Sequence, residues 1–266
     1  GVDRAIEIVE RALSKFGAPI YVRHEIVHNT FVVNDLKAKG AIFIEDLADV
    51  PPGATLVFSA HGVSKAVQAE ARERGFQIFD ATCPLVMKVH AEAIRYAKRG
   101  WQILLVGHRN HQEVVGTRGE APDSIQVVES PADIPGLRID DPEKLIYLTQ
   151  TTLSTDDANV IIAALKQAFP GLKEPPSEDI CYATSNRQWA VKEMLDQVDL
   201  LLVVGSRNSS NSNRLVDVSL ANGVPSYLID DDSEIEEAWL DGVAIVGITS
   251  GASAPEKLVT RVCDWF

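Results

Sequence analysis

The chain is predicted to be an α/β protein built on parallel sheets. Three observations carry that prediction. Short, wholly apolar, β-rich runs recur along its 266 residues. Each run is followed by a polar cluster and then by an amphipathic stretch of helical spacing. The runs do not alternate apolar with polar, which marks strands covered on both faces, as in parallel sheets.

Taken in order, the expected strands are 56–59, 78–79, 103–106, 125–128, 145–148, 200–204 and 243–248. Between them, 155–169 opens with Thr155-Asp156-Asp157 and places Val160, Ile161, Ala164, Leu165 and Ala168 on one predicted helical face. Segments 187–198 and 255–265 show the same spacing. Gly-Pro punctuation at Pro51-Pro52-Gly53, Pro135-Gly136, Pro170-Gly171 and Pro175-Pro176 is too short for linkers. Sections 1–82, 83–178 and 179–266 have similar lengths and each alternates strand with helix. Three similar domains are expected.

Composition narrows the function classes. Hydrophobic residues make up 45% and charged residues 24%, which excludes a disordered or collagen-like chain. No apolar run nears the ~20 residues that span a bilayer, and no signal peptide is visible. With 25 Lys and Arg against 38 Asp and Glu, the net charge is −13, and no dense basic block is present. That argues against a nucleic-acid or anionic-membrane partner. Cys83, Cys181 and Cys263 are widely separated and do not read as a disulfide framework, which fits a reducing, intracellular compartment.

The informative residues follow the expected strands. Strand ends read Ser59-Ala60-His61-Gly62, Asp80-Ala81-Thr82-Cys83-Pro84, and His108-Arg109-Asn110-His111-Gln112-Glu113. Further along come Thr149-Gln150-Thr151-Thr152, Cys181 through Asn186, Ser209-Ser210-Asn211-Ser212-Asn213 and Ser250-Gly251-Ala252-Ser253. In parallel α/β folds, ligands bind outside the carboxyl ends of strands, and helix N-termini there offer amides to anions. Neither a GxxxxGK[ST] nor a GxGxxG loop occurs, so a nucleotide is not the obvious ligand.

Plainer roles stand beside these. Ser209 to Asn213 also suits a helix cap and turn. His61 suits a satisfied loop histidine, one of His24 and His28 suits a structural role, and His90 suits an ordinary helix residue. Cys263 reads as a core filler on an apolar face with Leu258, Val259, Val262 and Phe266. Cys83 and Cys181 each end a strand beside small hydroxyl residues, and their matching positions favour thiolate ligation from different domains. His108, His111 and Glu113 form an alternative zinc-hydrolase set. A non-catalytic anion-binding domain is the third reading.

Several collinear motifs then carry a resemblance over essentially the whole chain. They are Gly1-Val-Asp-Arg-Ala5, Tyr21-Val-Arg-His-Glu-Ile-Val-His28-Asn29, Phe58-Ser-Ala-His61-Gly-Val63 and Asp80-Ala-Thr-Cys83-Pro-Leu-Val86. The His111–Glu113–Gly116-Thr117 segment, Thr149-Gln-Thr-Thr152, Asp179-Ile-Cys181-Tyr-Ala-Thr184, 205–214 and Ser250-Gly-Ala-Ser253-Ala-Pro255 complete the set. The chain resembles the LytB-type family of 4-hydroxy-3-methylbut-2-enyl diphosphate reductases, which end the non-mevalonate isoprenoid pathway.

The resemblance implies three α/β domains in a pseudo-threefold arrangement around a central [4Fe–4S] cluster. It implies Cys83 and Cys181 as cluster ligands, with a third cysteine upstream of Gly1, and the chain reads as trimmed at both ends. Cys263 matches no family ligand. His28, His61, His111, Ser209, Ser210, Asn211 and Ser253 match residues that hold the substrate diphosphate, Glu113 the proton donor, and Thr151 the hydroxyl that positions and relays it. Ferredoxin or flavodoxin is the implied electron donor, in the cytoplasm or a plastid stroma. Many relatives read Gly-His-Pro-Glu where this chain reads Asn110-His111-Gln112-Glu113, a change that removes proline's fixed φ from the loop.

Overall fold

Every strand pairs in parallel with its neighbours, the arrangement that apolar runs without alternation require. The computed structural model describes residues 1–266. The first elements are α1 (Val2–Phe16), β1 (Ile20–Arg23), α2 (Thr30–Ala38), β2 (Ala41–Ile44), β3 (Thr55–Phe58), α3 (Lys65–Glu73) and β4 (Gln77–Asp80). Then come α4 (Pro84–Lys98), β5 (Gln102–Val106), α5 (Gln112–Arg118), β6 (Ile125–Val128), β7 (Leu145–Thr149) and α6 (Thr155–Ala168). The chain continues through α7 (Tyr182–Met194), β8 (Leu200–Val204), α8 (Ser210–Ala221), β9 (Ser226–Ile229), β10 (Val246–Ser250) and α9 (Glu256–Trp265). No helix is long and apolar enough to cross a membrane.

Three sheets result, ordered β2-β1-β3-β4, β6-β5-β7 and β10-β8-β9. The central strands show why their sequences are apolar throughout. On β5, Ile103 and Leu105 join Val89 and Ala93 of α4, while Leu104 and Val106 join Ile161 and Leu165 of α6. On β8, Leu201 and Val203 pack with Val191, Leu215 and Val218, and Leu200, Leu202 and Val204 with Leu258 and Val262. Each such side chain contributes about 1.5–3 kcal/mol on burial, so these paired faces anchor the strand ends beyond them.

The chain divides into two compact units. The first, Gly1–Ile26 with Leu36–Cys181, holds the first two sheets. The second, Val27–Asp35 with Tyr182–Phe266, holds the third. The short segment Val27–Asp35 belongs to the second although the first surrounds it in sequence. There, Ser206 accepts the Thr30 N–H at 2.8 Å, and Ser253 Oγ donates to the His28 carbonyl at 2.9 Å.

Several expectations need correction. Strands β1, β2 and β9 do not figure among the expected runs, and the last strand begins at Val246 rather than at 243. On α6 the buried residues are Ala158, Ile161 and Leu165, whereas Val160 is 60% exposed and Ala168 is exposed. The face turned to the core runs through Ala158, Ile161, Ile162 and Leu165, and Val160 falls on its solvent side, about 100° round the helix from Ile161. The expected helix at 187–198 begins earlier, at Tyr182, and stops at Met194. Cys263 is exposed, not a core filler, because only Leu258 and Val262 of α9 are fully buried and Cys263 sits one step round the helix from Val262. Phe266 is likewise exposed.

Candidate active site

The polar residues of the first unit cluster where β3, β5 and β7 end. Beyond β3, Ser59 and His61 Nδ1 lie 3.3 Å apart, and Ala60 accepts the Cys83 N–H at 2.9 Å. Cys83 is the N-cap of α4, with Pro84 at the first helical position, where a missing N–H costs nothing. His90 of α4 is buried, its Nδ1 3.2 Å from a Glu120 carboxylate oxygen. A Cβ on Gly62 would come to 3.0 Å from the His90 ring. The residue expected to be ordinary thus backs the turn that carries His61.

Beyond β5, His111 caps α5 through Nδ1, which accepts the Glu113 N–H at 3.2 Å. That bond leaves Nε2 to carry the proton of the neutral ring. The His61 and His111 rings meet edge to face, with centroids 5.9 Å apart. Gln150, fully buried beyond β7, accepts the His108 N–H at 3.0 Å and donates to Thr152 Oγ1 at 2.9 Å, which ties the β5 and β7 loops together.

Glu113 is the central group. Only 2% exposed, its carboxylate faces Thr151: Oε1 accepts the Thr151 N–H at 2.6 Å and Oε2 the Thr151 hydroxyl at 3.0 Å. Burial pushes the carboxyl up to about 7; the two Thr151 bonds oppose that rise and the Asp179 charge adds to it. Thr151 O in turn accepts the Cys181 N–H at 2.8 Å. Cys181 is thereby attached to the residue that holds Glu113.

Sequence reasoning assigned no role to Asp179 and Lys88, which support this corner. Lys88 Nζ donates to Ser177 O at 2.8 Å, Glu178 O at 2.9 Å and Asp179 Oδ1 at 2.9 Å. Asp179 Oδ2 accepts the Thr149 N–H at 2.9 Å. The only sequence signal was the place of Asp179 two residues before Cys181. Lys88 carried none, since its acceptors lie about ninety positions away.

The second unit gathers the remaining expected residues. Ser209 caps α8, accepting the Ser212 N–H at 3.3 Å, so the cap reading of this serine run holds. Asn211 Oδ1 accepts the Ala252 N–H at 2.7 Å, and its Nδ2 donates to Thr184 Oγ1 at 3.4 Å. Asn211 thus fixes the loop whose Ser253 reaches the His28 carbonyl. Gly205 and Gly251 let this loop and β8 close on Ser212: a Cβ on either would stand 2.2 or 2.0 Å from its hydroxyl. Ser210 opens α8, at the positive end of the helix dipole.

The structure therefore ties His61, His111, Glu113, Thr151, Cys83 and Cys181 into the first unit, and His28, Ser209, Ser210, Asn211 and Ser253 into the second. The zinc-hydrolase reading finds no ligand set. His111 Nδ1 caps a helix, both Glu113 oxygens accept from Thr151, and no three His, Cys, Asp or Glu side chains group for a metal ion.

Parallel α/β sheets with a buried carboxyl and two partly buried cysteines at helix starts define the class: an α/β enzyme with acid–base chemistry beyond its strands. The chain belongs to the LytB protein family, whose model matches residues 1–266. It is 62% identical over 264 residues to a 4-hydroxy-3-methylbut-2-enyl diphosphate reductase of Polaromonas sp., covering 99% of this chain and 79% of that one. It is 59% identical over 263 residues to the enzyme of that name from Neisseria gonorrhoeae, covering 98% and 82%. Among solved structures, the E-1-hydroxy-2-methyl-but-2-enyl-4-diphosphate reductase of Plasmodium falciparum superposes with a TM-score of 0.96 at 44% identity, covering 99% of this chain and 83% of that one. An (E)-4-hydroxy-3-methyl-but-2-enyl diphosphate reductase, described as the terminal enzyme of the non-mevalonate pathway, gives 0.70 at 30% identity, covering 99% and 93%.

Proposed function

We propose that this chain catalyses the reductive dehydroxylation of 4-hydroxy-3-methylbut-2-enyl diphosphate to isopentenyl and dimethylallyl diphosphate. Two electrons and two protons enter; the C–O bond breaks, oxygen leaves as water, and an allylic carbon takes the second proton. The observation that carries the reading is Glu113, a carboxyl held near neutrality by burial and bonded to Thr151.

Cys83 and Cys181 would hold an iron–sulfur cluster in this reading. The donor set fits in kind: both are partly buried thiols immediately ahead of a helix, Cys83 after β4 and Cys181, contrary to the expectation that it ends a strand, after the loop that follows α6. Each has its N–H tied down, and thiolates are the natural ligands of iron–sulfur clusters. A Cβ on Gly1 would stand 2.6 Å from Cys83 Sγ, so the backbone there passes close to the sulfur. When bound, the cluster supplies electrons and a Lewis-acidic iron.

The chain's own residues handle the protons and the diphosphate. Because Oε1 accepts the Thr151 N–H, the proton of neutral Glu113 sits on Oε2, facing Thr151 Oγ1. The hydroxyl can accept it and pass on its own proton, which makes Thr151 the relay. His111, with Nδ1 occupied, offers Nε2–H to an anion, and His61 stands beside it. His28, Ser209, Ser210, Asn211 and Ser253 complete the diphosphate donors. Neutral donors of this kind suit an acidic chain, since they direct hydrogen bonds without a basic surface.

The further parts of this reading are a [4Fe–4S] cluster type, a ferredoxin or flavodoxin donor, lobes at 1–82, 83–178 and 179–266, and a cytoplasmic or stromal setting. The test is Glu113→Gln in the anaerobically reconstituted protein. Turnover is expected to be nearly abolished while diphosphate binding, read by titration calorimetry, stays largely intact. Equal turnover by the variant overturns the proton-donor role.

A further inference from the structure

We infer that Lys88 is a positioning residue that sets the separation of the Cys83 and Cys181 thiols by fastening the helix behind one to the strap that leads into the other. The inference rests on the proposed function for its chemical meaning, since that reading makes the two thiols iron ligands.

Cys83 caps α4, and Lys88 lies on the second turn of the same helix, so its backbone moves with Cys83. Its ammonium group spends all three N–H donors on one target: the carbonyls of Ser177 and Glu178 and the carboxylate of Asp179. Two residues on stands Cys181. The second Asp179 oxygen holds the Thr149 N–H at the end of β7, and Thr151 O holds the Cys181 N–H. One cation thus links α4, the strap 177–181 and the strand end that carries Thr151.

The surroundings make this link strict. Side-chain exposure is 0% for Asp179 and 24% for Lys88. An ammonium removed there leaves two carbonyls and a buried carboxylate without their shared donor, which unfastens the strap from α4. Glu92, one helical turn further along α4, lies 3.9 Å from Lys88 and would add repulsion once the cation is gone. Arginine keeps the charge but presents a planar fork instead of three donors spread from one nitrogen, so it cannot meet the same three acceptors. A lysine that served only to make the surface hydrophilic would not have converging carbonyl partners of this kind.

The experiment compares the otherwise wild-type protein, Lys88→Met and Lys88→Arg, each carrying Cys263→Ser so that Cys83 and Cys181 are the only thiols, as apo proteins with nitroxide labels. Pulsed electron spin resonance reads the width of the distance distribution between the labels. A narrow distribution in wild type, a broad one in Lys88→Met and an intermediate one in Lys88→Arg is expected. Iron retained after anaerobic reconstitution is expected to fall with an apparent affinity loss of about 10–100-fold, as for other outer partners of metal ligands. If Lys88→Met does not fold, Asp179→Asn, which keeps an acceptor for the Thr149 N–H, replaces it. A distribution as narrow in the variant as in wild type overturns the inference. Wild type that takes up no iron, with the broadening still present, would instead overturn the iron reading and leave the positioning role standing.

Discussion

Replacing Glu113 by Gln should make the protein more stable at the pH where it makes it inactive. The folded carboxyl is raised from 4.5 to about 7 by burial. A carboxyl whose folded pKa lies above its unfolded value stabilises the fold fully below the unfolded value, and that contribution is lost as pH rises through the folded one. The rise corresponds to about 3 kcal/mol, of which about 2.5 kcal/mol is lost between pH 5 and pH 8. Glutamine has no charge to desolvate, and it keeps an oxygen for the Thr151 N–H and an amide for its hydroxyl. Urea denaturation of apo wild type and Glu113→Gln, followed by circular dichroism at about pH 5 and pH 8, measures the difference directly. The variant should gain about 2.5 kcal/mol on wild type between the two pH values. A stability gap that does not change with pH would refute the claim that the folded protein holds this proton, and the proton-donor argument would fall with it.

Other consequences follow from the same geometry. Wild-type turnover should fall as pH rises through about 7, because the protonated carboxyl is the active form. Thr151→Val removes the hydroxyl bond that lowers the Glu113 pKa, so the alkaline limb of the kcat profile should move to higher pH, and the loss of the relay should lower the plateau; an unchanged plateau contradicts the relay. Gln112 is the first residue of α5 and its Oε1 is buried without a partner. Gln112→Pro should therefore raise the apo melting point, by up to about 1 kcal/mol in stability, and a loss would show that the loop needs the glutamine backbone. Gly251→Ala should cost about 1–3 kcal/mol by collision with Ser212 Oγ, and Ser212→Ala should recover much of it in the double variant; additive losses would contradict the packing.

The central strands were legible because burial on both faces leaves its mark on every residue, as in Leu200–Val204. The edge strands β2 and β9 were not, since Ile42 is exposed and Tyr227 and Leu228 are only partly covered, so their hydrophobic signal is diluted. β1 escaped notice despite its inner place in the sheet; it is no shorter than β3, β4 and β6, which were legible, but it runs straight into the charged Arg23-His24-Glu25. Val160 and Cys263 misled for one reason: each neighbours the buried face in sequence while lying one step round the helix from it. Motif residues such as Glu113 and Thr151 were visible through the resemblance. Their supports were not. Lys88 with Asp179, His90 with Glu120 and Gln150 with His108 are long-range pairs of unremarkable residue types, brought together only by the sheets.

The segment Val27–Asp35 has a consequence for synthesis of the chain. It emerges from the ribosome early, yet its packing partners, Ser206, Ser253 and the α9 core against Phe31, come last. At about 5–20 residues per second, it waits on the order of ten seconds or more with Phe31 and its amide donors uncovered. The two compact units are therefore not two independent products of the gene. A truncation after Cys181 would leave the first unit carrying an orphaned helical segment of the second, and a fragment beginning at Tyr182 would lack the piece that closes its own core.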